Sequence, residues 1–209
     1  EKDLLNQIVS SYLYKDLLRF KGIRKPELLD KLLRALALQL GQEVSYNELA
    51  NLLQVDKATI SDYICLLEQA FIVTRPQPLS RNSRNEISTM RKVYFWYLGV
   101  RNTLIGNFNP LSIRTDAGAL WENFLIVERM KYLHYHSVHG NRYFWRTKSQ
   151  QEIDYVEERD GRMFAYGFKM NPKVKYRFPK TFTSAYPEAG TQVVSLDNFH
   201  DFLTSPFAP

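Results

Sequence analysis

Several features that mark particular classes of protein are missing from this sequence of 209 residues. The chain has one cysteine, Cys65, so no disulfide can form within it. No apolar run approaches the roughly 18 residues of a membrane-spanning helix, and no signal peptide is recognised. None of the nine glycines fits the pattern G-x-x-x-x-G-K-[ST] of phosphate-binding loops. These absences predict a cytoplasmic chain without a membrane partner and without an ATP site of its own.

Strong charge imbalance is missing too, because the net charge is only +6. There is no internal repeat and no low-complexity tract. Hydrophobic residues make up 44% of the chain, and tyrosine and phenylalanine occur 13 times each, which is typical of a globular protein with one or two domains. Nucleic-acid binding must therefore be argued from local patches.

The stretch VSYNELANLLQVDKATISDYICLLEQ carries the pattern of two short helices joined by a tight turn. Ser45 and Glu48 have the spacing of a capping box, and Asp56 can cap the second helix. Residues 71–75 and 92–98 follow as predicted strands, with an arginine-containing loop between them. Helix, turn, helix and two strands predict a winged-helix domain.

Polar residues at the start of the second helix and in the loop between the strands are the candidate DNA contacts. Lysine and arginine can neutralise phosphates, and hydroxyl groups can reach base edges. The alternative is a protein-docking role, because Asp62 and Glu68 make this helix a poor match to a DNA-recognition helix. The predicted nucleic-acid-binding residues are Lys57, Thr59, Ser61, Arg81 and Arg84.

The second half of the chain predicts a small α+β domain. Residues 99–115 read as a connector, and Asp116 can cap a long helix over 117–135. Strands are predicted at 142–146, 152–158, 162–170 and 193–196.

One hairpin of this domain brings charged residues together. Asp160-Gly161 is a strong two-residue turn, which pairs Arg159 with Arg162. This register places Asp154 across from Gly167. Alternation then predicts two faces, one with Glu152, Asp154, Gly167 and Lys169, and a core face with Ile153, Tyr155 and Phe168.

A carboxylate beside a lysine can support phosphodiester chemistry. Carboxylate oxygens bind Mg²⁺, the metal activates water, and the lysine offsets charge that develops in the transition state. Position 167 is where a second carboxylate would complete the site, and Gly167 has no side chain. The alternative is an ordinary solvated hairpin face.

Glu122, in the preceding helix, lies in a mostly apolar stripe, where a carboxylate is costly without a partner. It is either a further acid of the site, a partner of Arg129, or a partly exposed acid. The stretch HYHSVHG holds His134, His136 and His139, for which a loop or sheet-edge role is favoured over a metal site. Cys65 is predicted to be a small packed thiol.

Most of the chain resembles the C-terminal region of a large family of prokaryotic AAA-type ATPases that end in a domain of unknown function. In that family the end of the ATPase lid runs into a winged helix and then a domain similar to the PD-(D/E)xK nuclease fold. The matching stretches are SSYLYKDLLRF, KPELLDKLLRALALQLG, VSYNELANLL, LEQAFIV, RKVYFWYLGVRN, GALWENFLIVER, YFWRTKSQQEIDYV and AYGFKM.

The resemblance implies the tail of the lid at 1–20, a winged helix at 21–100 and a nuclease-like domain at 101–209. The catalytic residues that it implies are Glu122, Asp154 and Lys169. Asp154 and Glu122 would be ligands of Mg²⁺ or Mn²⁺. ATP would be bound only by an N-terminal part that is absent here. In two places the sequence departs from the family. Tyr97 stands where an aspartate is usual, and Gly167 stands where a glutamate is usual.

Three functions follow as alternatives. The first is a DNA-binding, nuclease-like module of an AAA-type ATP-binding protein, impaired in catalysis at Gly167. The second is a protein-interaction or self-association module without nucleic-acid binding. The third is a weak metal-dependent endonuclease that uses Glu122, Glu152, Asp154 and Lys169. Whether the chain is an enzyme is left open by the sequence.

Overall fold

The computed structural model of the chain describes residues 2–9, 25–80 and 91–205, and it confirms the α+β class. The fold divides into two compact units. Unit 1 comprises Glu1–Arg75 and Met90–Asn123, and unit 2 comprises Pro76–Thr89 and Phe124–Pro209. None of the helices in the described ranges is both long enough and apolar enough to cross a bilayer.

Unit 1 is mainly helical. Its elements are α1 (Lys2–Gln7), α2 (Pro26–Leu38), α3 (Tyr46–Leu53), α4 (Lys57–Gln69), β1 (Val73–Thr74), β3 (Tyr94–Phe95), α5 (Leu98–Leu104), a short 3₁₀ turn (Leu111–Ile113) and the start of α6 (Ala117–Tyr135). The lid tail that the resemblance implies at 1–20 is described only over residues 2–9, because residues 10–24 lie outside the described ranges.

Helices α3 and α4 are joined by a tight turn, as the sequence predicts. Ser45 Oγ accepts a hydrogen bond from the Glu48 N–H at 3.3 Å, and Asp56 Oδ1 accepts one from the Thr59 N–H at 2.6 Å. Gln54 ends α3 in the left-handed region at φ 54°. Side-chain oxygens thus satisfy amides of each first turn that have no partner within the helix.

The strands after α4 are shorter than predicted. β1 and β3 pair antiparallel over two residues each, instead of running over 71–75 and 92–98. The predicted connector also begins as helix α5 rather than as a loop. The buried guanidinium of Arg101 in α5 donates to the Ala37 carbonyl oxygen at 2.8 Å and pairs with Asp116, which explains why this segment is ordered.

Unit 2 is built on one five-stranded sheet. Its elements are β2 (Gln77–Pro78), the rest of α6, β4 (Asn141–Arg146), β5 (Glu152–Arg159), β6 (Arg162–Phe168), α7 (Lys180–Ala185), β7 (Gly190–Val194) and α8 (Phe199–Thr204). The strand order is β2-β4-β5-β6-β7, in which β2 pairs parallel with β4 and β7 parallel with β6. The sequence did not predict β2, which lies in the segment assigned to the loop between the two strands.

Two groups of buried side chains cover this sheet. One is an apolar cluster that includes Trp145, Ile153, Val156, Ala165 and Phe182. The other is aromatic, with Phe202 of α8 in ring contact with Tyr155, Tyr166 and Phe168. The sheet is therefore buried on both faces, which is usual where helices lie against it.

Candidate functional site

The hairpin of β5 and β6 has the predicted register. Asp160 and Gly161 form the turn with φ of 50° and 74°, and the pairs run from Arg159↔Arg162 to Tyr155↔Tyr166. Both turn residues thus adopt the positive φ that a tight hairpin turn requires.

The predicted faces are wrong in part, because β5 contains a bulge. Between the pairs Tyr143↔Val156 and Trp145↔Ile153, β4 has one residue whereas β5 has two, Asp154 and Tyr155. An extra residue interrupts the alternation of side chains. Ile153 therefore joins the apolar cluster instead of sharing a face with Tyr155.

Asp154 lies in the bulge, and its carboxylate accepts a hydrogen bond from a strand amide in place of a backbone carbonyl oxygen. Its Oδ2 accepts a hydrogen bond from the Phe168 N–H at 2.6 Å, just beyond the last pair of the hairpin ladder. The carboxylate oxygens of Asp154 and Glu152 lie within 4.8 Å of one another, and both residues are half-buried. The structure therefore brings these two acids together beside the end of β6.

Gly167 has no room for a side chain. A Cβ atom at this position would lie 2.5 Å from Cε1 and 2.6 Å from Cζ of Tyr176, far closer than real Cβ contacts. The tyrosine ring thus fills the space in which the glutamate expected from the resemblance would begin. The sequence analysis missed Tyr176, and its signal was an aromatic residue within a basic segment close after the hairpin.

Tyr176 is held by its neighbours. Its hydroxyl donates to the Glu152 carbonyl oxygen at 3.1 Å, and Lys169 Nζ lies 5.2 Å from the centre of its ring. Burial, followed by the negative charges of Asp154 and Glu152, raises the pKa of the Tyr176 hydroxyl. The phenol therefore stays protonated at neutral pH and keeps its hydrogen bond.

The residues of unit 2 fit a weakly held divalent cation. Mg²⁺ commonly binds one or two carboxylates and retains several waters, and Asp154 with Glu152 provides that donor set. Two conditions weaken the site. One oxygen of Asp154 already accepts from Phe168, and Gly167 supplies no further ligand.

Glu122 belongs to unit 1, where it has partners of its own. Its Oε1 lies 3.0 Å from Lys92 Nζ and accepts a hydrogen bond from the Tyr94 hydroxyl at 2.5 Å. Arg129, the alternative partner considered from the sequence, instead binds Glu157 in unit 2. The assignment of Glu122 as a catalytic acid and metal ligand stays a prediction from the resemblance.

Tyr97, where the resemblance leads us to expect an aspartate, lies at the start of a helix. Tyr97 is the N-cap residue of α5, is 61% exposed, and makes no side-chain hydrogen bond to that helix. Aspartate is among the best N-cap residues. The aspartate that the resemblance leads us to expect here would therefore suit a capping role.

The change Tyr97→Asp is expected to stabilise unit 1 by about 0.5–2 kcal/mol, since it supplies the missing cap. Urea denaturation of the two proteins measures the difference, and Tyr97→Asn, which can cap without charge, is the matched control. Loss of stability in both variants would contradict the capping role.

The predicted DNA contacts of α4 are only partly available. Lys57 is exposed and Ser61 is half-buried, whereas the Thr59 hydroxyl donates to Asp56 Oδ2 at 3.1 Å. Thr59 is therefore engaged in capping the helix that was predicted to read DNA. Arg81 and Arg84 lie outside the described residues.

Neither of the other candidate clusters gains support. His134 and His136 are exposed, and each makes a tilted ring contact with a tyrosine of α6. Cys65 is exposed, so the predicted packed thiol is wrong; its Sγ accepts a weak hydrogen bond from Gln69 at 3.7 Å. This face of α4 points to solvent.

Comparison with known proteins identifies relatives by sequence. The uncharacterized proteins Mb2031c of Mycobacterium bovis and Rv2008c of Mycobacterium tuberculosis are each 28% identical over 165 residues. The match covers 78% of this chain and 36% of each relative, so the matched region spans about a third of the length of these curated relatives. No solved structure matches the chain.

Two family models match the chain. Residues 117–202 match the model described as domain of unknown function DUF4143. Residues 1–111, more than half of the chain, match the model described as domain of unknown function DUF8612. The chain therefore belongs to the DUF8612 family.

Proposed function

We propose that this chain is a DNA-binding, nuclease-like module of a larger AAA-type ATP-binding protein, and that its nuclease-like unit is impaired in catalysis. The observation that carries the proposal is the contact of Tyr176 with Gly167 beside Asp154. An acid and a lysine of the expected pattern are retained, whereas the place of the second acid is occupied by an aromatic ring.

Two further observations support the larger protein. The matched relatives extend well beyond the region that they share with this chain, and DUF4143 domains are commonly found with AAA ATPases. ATP would bind in the part of such a protein that lies outside this chain. In unit 2, Asp154 and Glu152 are the proposed ligands of Mg²⁺ or Mn²⁺, which would activate water when bound.

The test uses supercoiled plasmid with Mn²⁺ or EDTA, and reads gel shift and nicking together. The wild-type chain is expected to shift DNA in EDTA and not to nick it in Mn²⁺. Gly167→Glu alone is expected to stay inactive, because the Tyr176 ring occupies the space of the new side chain. The double variant Gly167→Glu/Tyr176→Ala is expected to nick.

Asp154→Asn in the double variant is the control. It retains an acceptor for the Phe168 N–H and removes the negative charge that binds metal. Nicking that persists in this triple variant would come from a contaminant. Nicking by the wild-type chain that Asp154→Asn abolishes would overturn impairment and establish an active endonuclease.

A protein-interaction module is the second candidate. The solvent side of α4 favours it, because Asp56 and Asp62 are exposed there beside the single exposed cation Lys57. Leu52 and Phe71, in and after the same pair of helices, are 66% and 68% exposed. Apolar side chains among acids suit a protein partner better than a phosphate backbone.

Light scattering separates the two candidates. The interaction module predicts a concentration-dependent increase in mass that Leu52→Ser/Phe71→Ser abolishes, with no DNA shift at low salt. The DNA-binding module predicts a salt-sensitive shift that the same double variant leaves intact.

A further inference from the structure

A basic segment connects β6 to α7 in unit 2. Lysine or arginine occupies five of the twelve positions 169–180, and aspartate and glutamate occupy none of them. Lys173, Lys175, Arg177 and Lys180 are all exposed. We call residues 169–180 the basic strap; its charge stands out in a chain whose net charge is only +6.

The strap is fixed to unit 2 by its aromatic residues. Tyr176 lies against Gly167 and donates to the Glu152 carbonyl oxygen, while Phe178 packs on the apolar cluster. The two rings meet edge to face at 5.0 Å. Lys175 and Arg177 alternate along the chain with these half-buried anchors, so both cations are presented to solvent.

The start of the strap is ordered as well. The Asn171 side-chain oxygen accepts from the Lys173 N–H at 2.9 Å, and the Val174 N–H donates to the Asn171 carbonyl oxygen at 3.2 Å. The backbone that carries the cations is therefore already folded. Binding a ligand here costs less conformational entropy than ordering a loose basic tail.

The four exposed cations of the strap form no ion pair within the described part of unit 2. The ion pairs recorded there, such as Arg129–Glu157 and Lys131–Glu128, do not involve the four exposed cations of the strap. Along the chain the nearest acids are Asp160 and Glu188, and in space the carboxylates of Asp154 and Glu152 lie on the side of Tyr176. The four exposed cations repel one another and favour a polyanion as partner.

We propose that the basic strap is a binding site for the phosphate backbone of nucleic acid, with Lys173, Lys175, Arg177 and Lys180 as the phosphate contacts. This inference rests on the proposed DNA-binding function and assigns its main contact to unit 2 rather than to α4. A run of exposed cations along a fixed segment suits a linear polyanion. A membrane surface is less suitable, because Val174 is the one exposed large apolar side chain within the strap.

The test measures the affinity of the full chain for a fluorescent 20-base-pair duplex between 25 and 200 mM salt. The strap variant is Lys173→Gln/Lys175→Gln/Arg177→Gln. The control variant, Lys31→Gln/Lys148→Gln/Arg162→Gln, removes the same charge from other exposed positions. We expect the strap variant to bind the duplex more than tenfold more weakly at low salt. The slope of log K against log salt is expected to become shallower by about three, because each phosphate contact contributes about one to its magnitude.

The outcomes distinguish the two proposals. Equal losses in both variants would reveal a general charge effect and overturn the strap assignment, while DNA binding itself would stand. A wild-type chain that shows no binding at low salt would overturn the proposed DNA-binding function. Binding to vesicles of anionic phospholipid but not to the duplex would assign the strap to a membrane surface and overturn the nucleic-acid site.

Discussion

Replacing Glu157 with glutamine is expected to lower the free energy of unfolding of unit 2 by about 3–5 kcal/mol, the usual cost of breaking a buried ion pair from one side. Glu157 accepts from Arg129 Nε at 2.7 Å, and Arg159 Nε lies 3.0 Å from its other oxygen. All three residues are buried. Glutamine has nearly the same shape but leaves two buried guanidinium groups without their counter-charge.

Arg129 also holds α8 in place. Arg129 donates to the carbonyl oxygens of Phe202, at 2.6 Å, and Ser205, so the same guanidinium that binds β5 also orders α8. Hydrogen exchange of the β5 and β6 amides measures the loss within unit 2 alone, which matters because two units need not unfold together.

Asp30→Asn is the matched control for Glu157→Gln. Asp30 pairs with Arg34 one helical turn away, and these side chains are 34% and 58% exposed. Exposed pairs contribute at most about 1 kcal/mol. If the two changes had similar effects, Glu157 would not be acting as a buried counter-charge.

Gly167→Ala is expected to destabilise unit 2 by about 1–3 kcal/mol, the range for extra atoms in a packed site. The reason is the 2.5 Å approach of a new Cβ to the Tyr176 ring, whose position is fixed by Glu152 and Phe178. In a Tyr176→Ala background the same change is expected to be neutral or stabilising, because alanine is normally preferred to glycine within a strand.

A double-mutant cycle measures this coupling. Urea denaturation of the wild type, both single variants and the double variant gives the interaction energy. Gly118→Ala is the control, since its Cβ meets nothing within 4 Å and replacing a helical glycine stabilises by about 0.5–1 kcal/mol. If Gly167→Ala proved neutral in the wild type, the ring would not occupy that space.

Local sequence signals predicted the features that depend on near neighbours. The caps Ser45 and Asp56 are confirmed, and so is the Asp160-Gly161 turn with its register. Each depends on residues within a few positions of one another, where turn and cap chemistry is decisive.

Features that depend on distant contacts were not predictable in the same way. The bulge at Asp154 requires the register of β4, and the filled space beside Gly167 requires Tyr176, nine positions further along the chain. Arg101 stabilises α5 through Ala37 and Asp116, which a local pattern does not reveal. The sequence thus indicated which residues lie near the site but not which of them occupies it.

The course of the chain affects how a gene fragment would behave. Each unit combines two separated stretches of sequence, and β2, from the earlier stretch of unit 2, covers the outer edge of β4. A fragment cut at the start of the second family match, residue 117, would keep β4 to β7 but leave that edge without its partner. Exposed strand edges promote pairing between molecules. A fragment whose boundary follows the family match would therefore be more prone to aggregate than the whole chain.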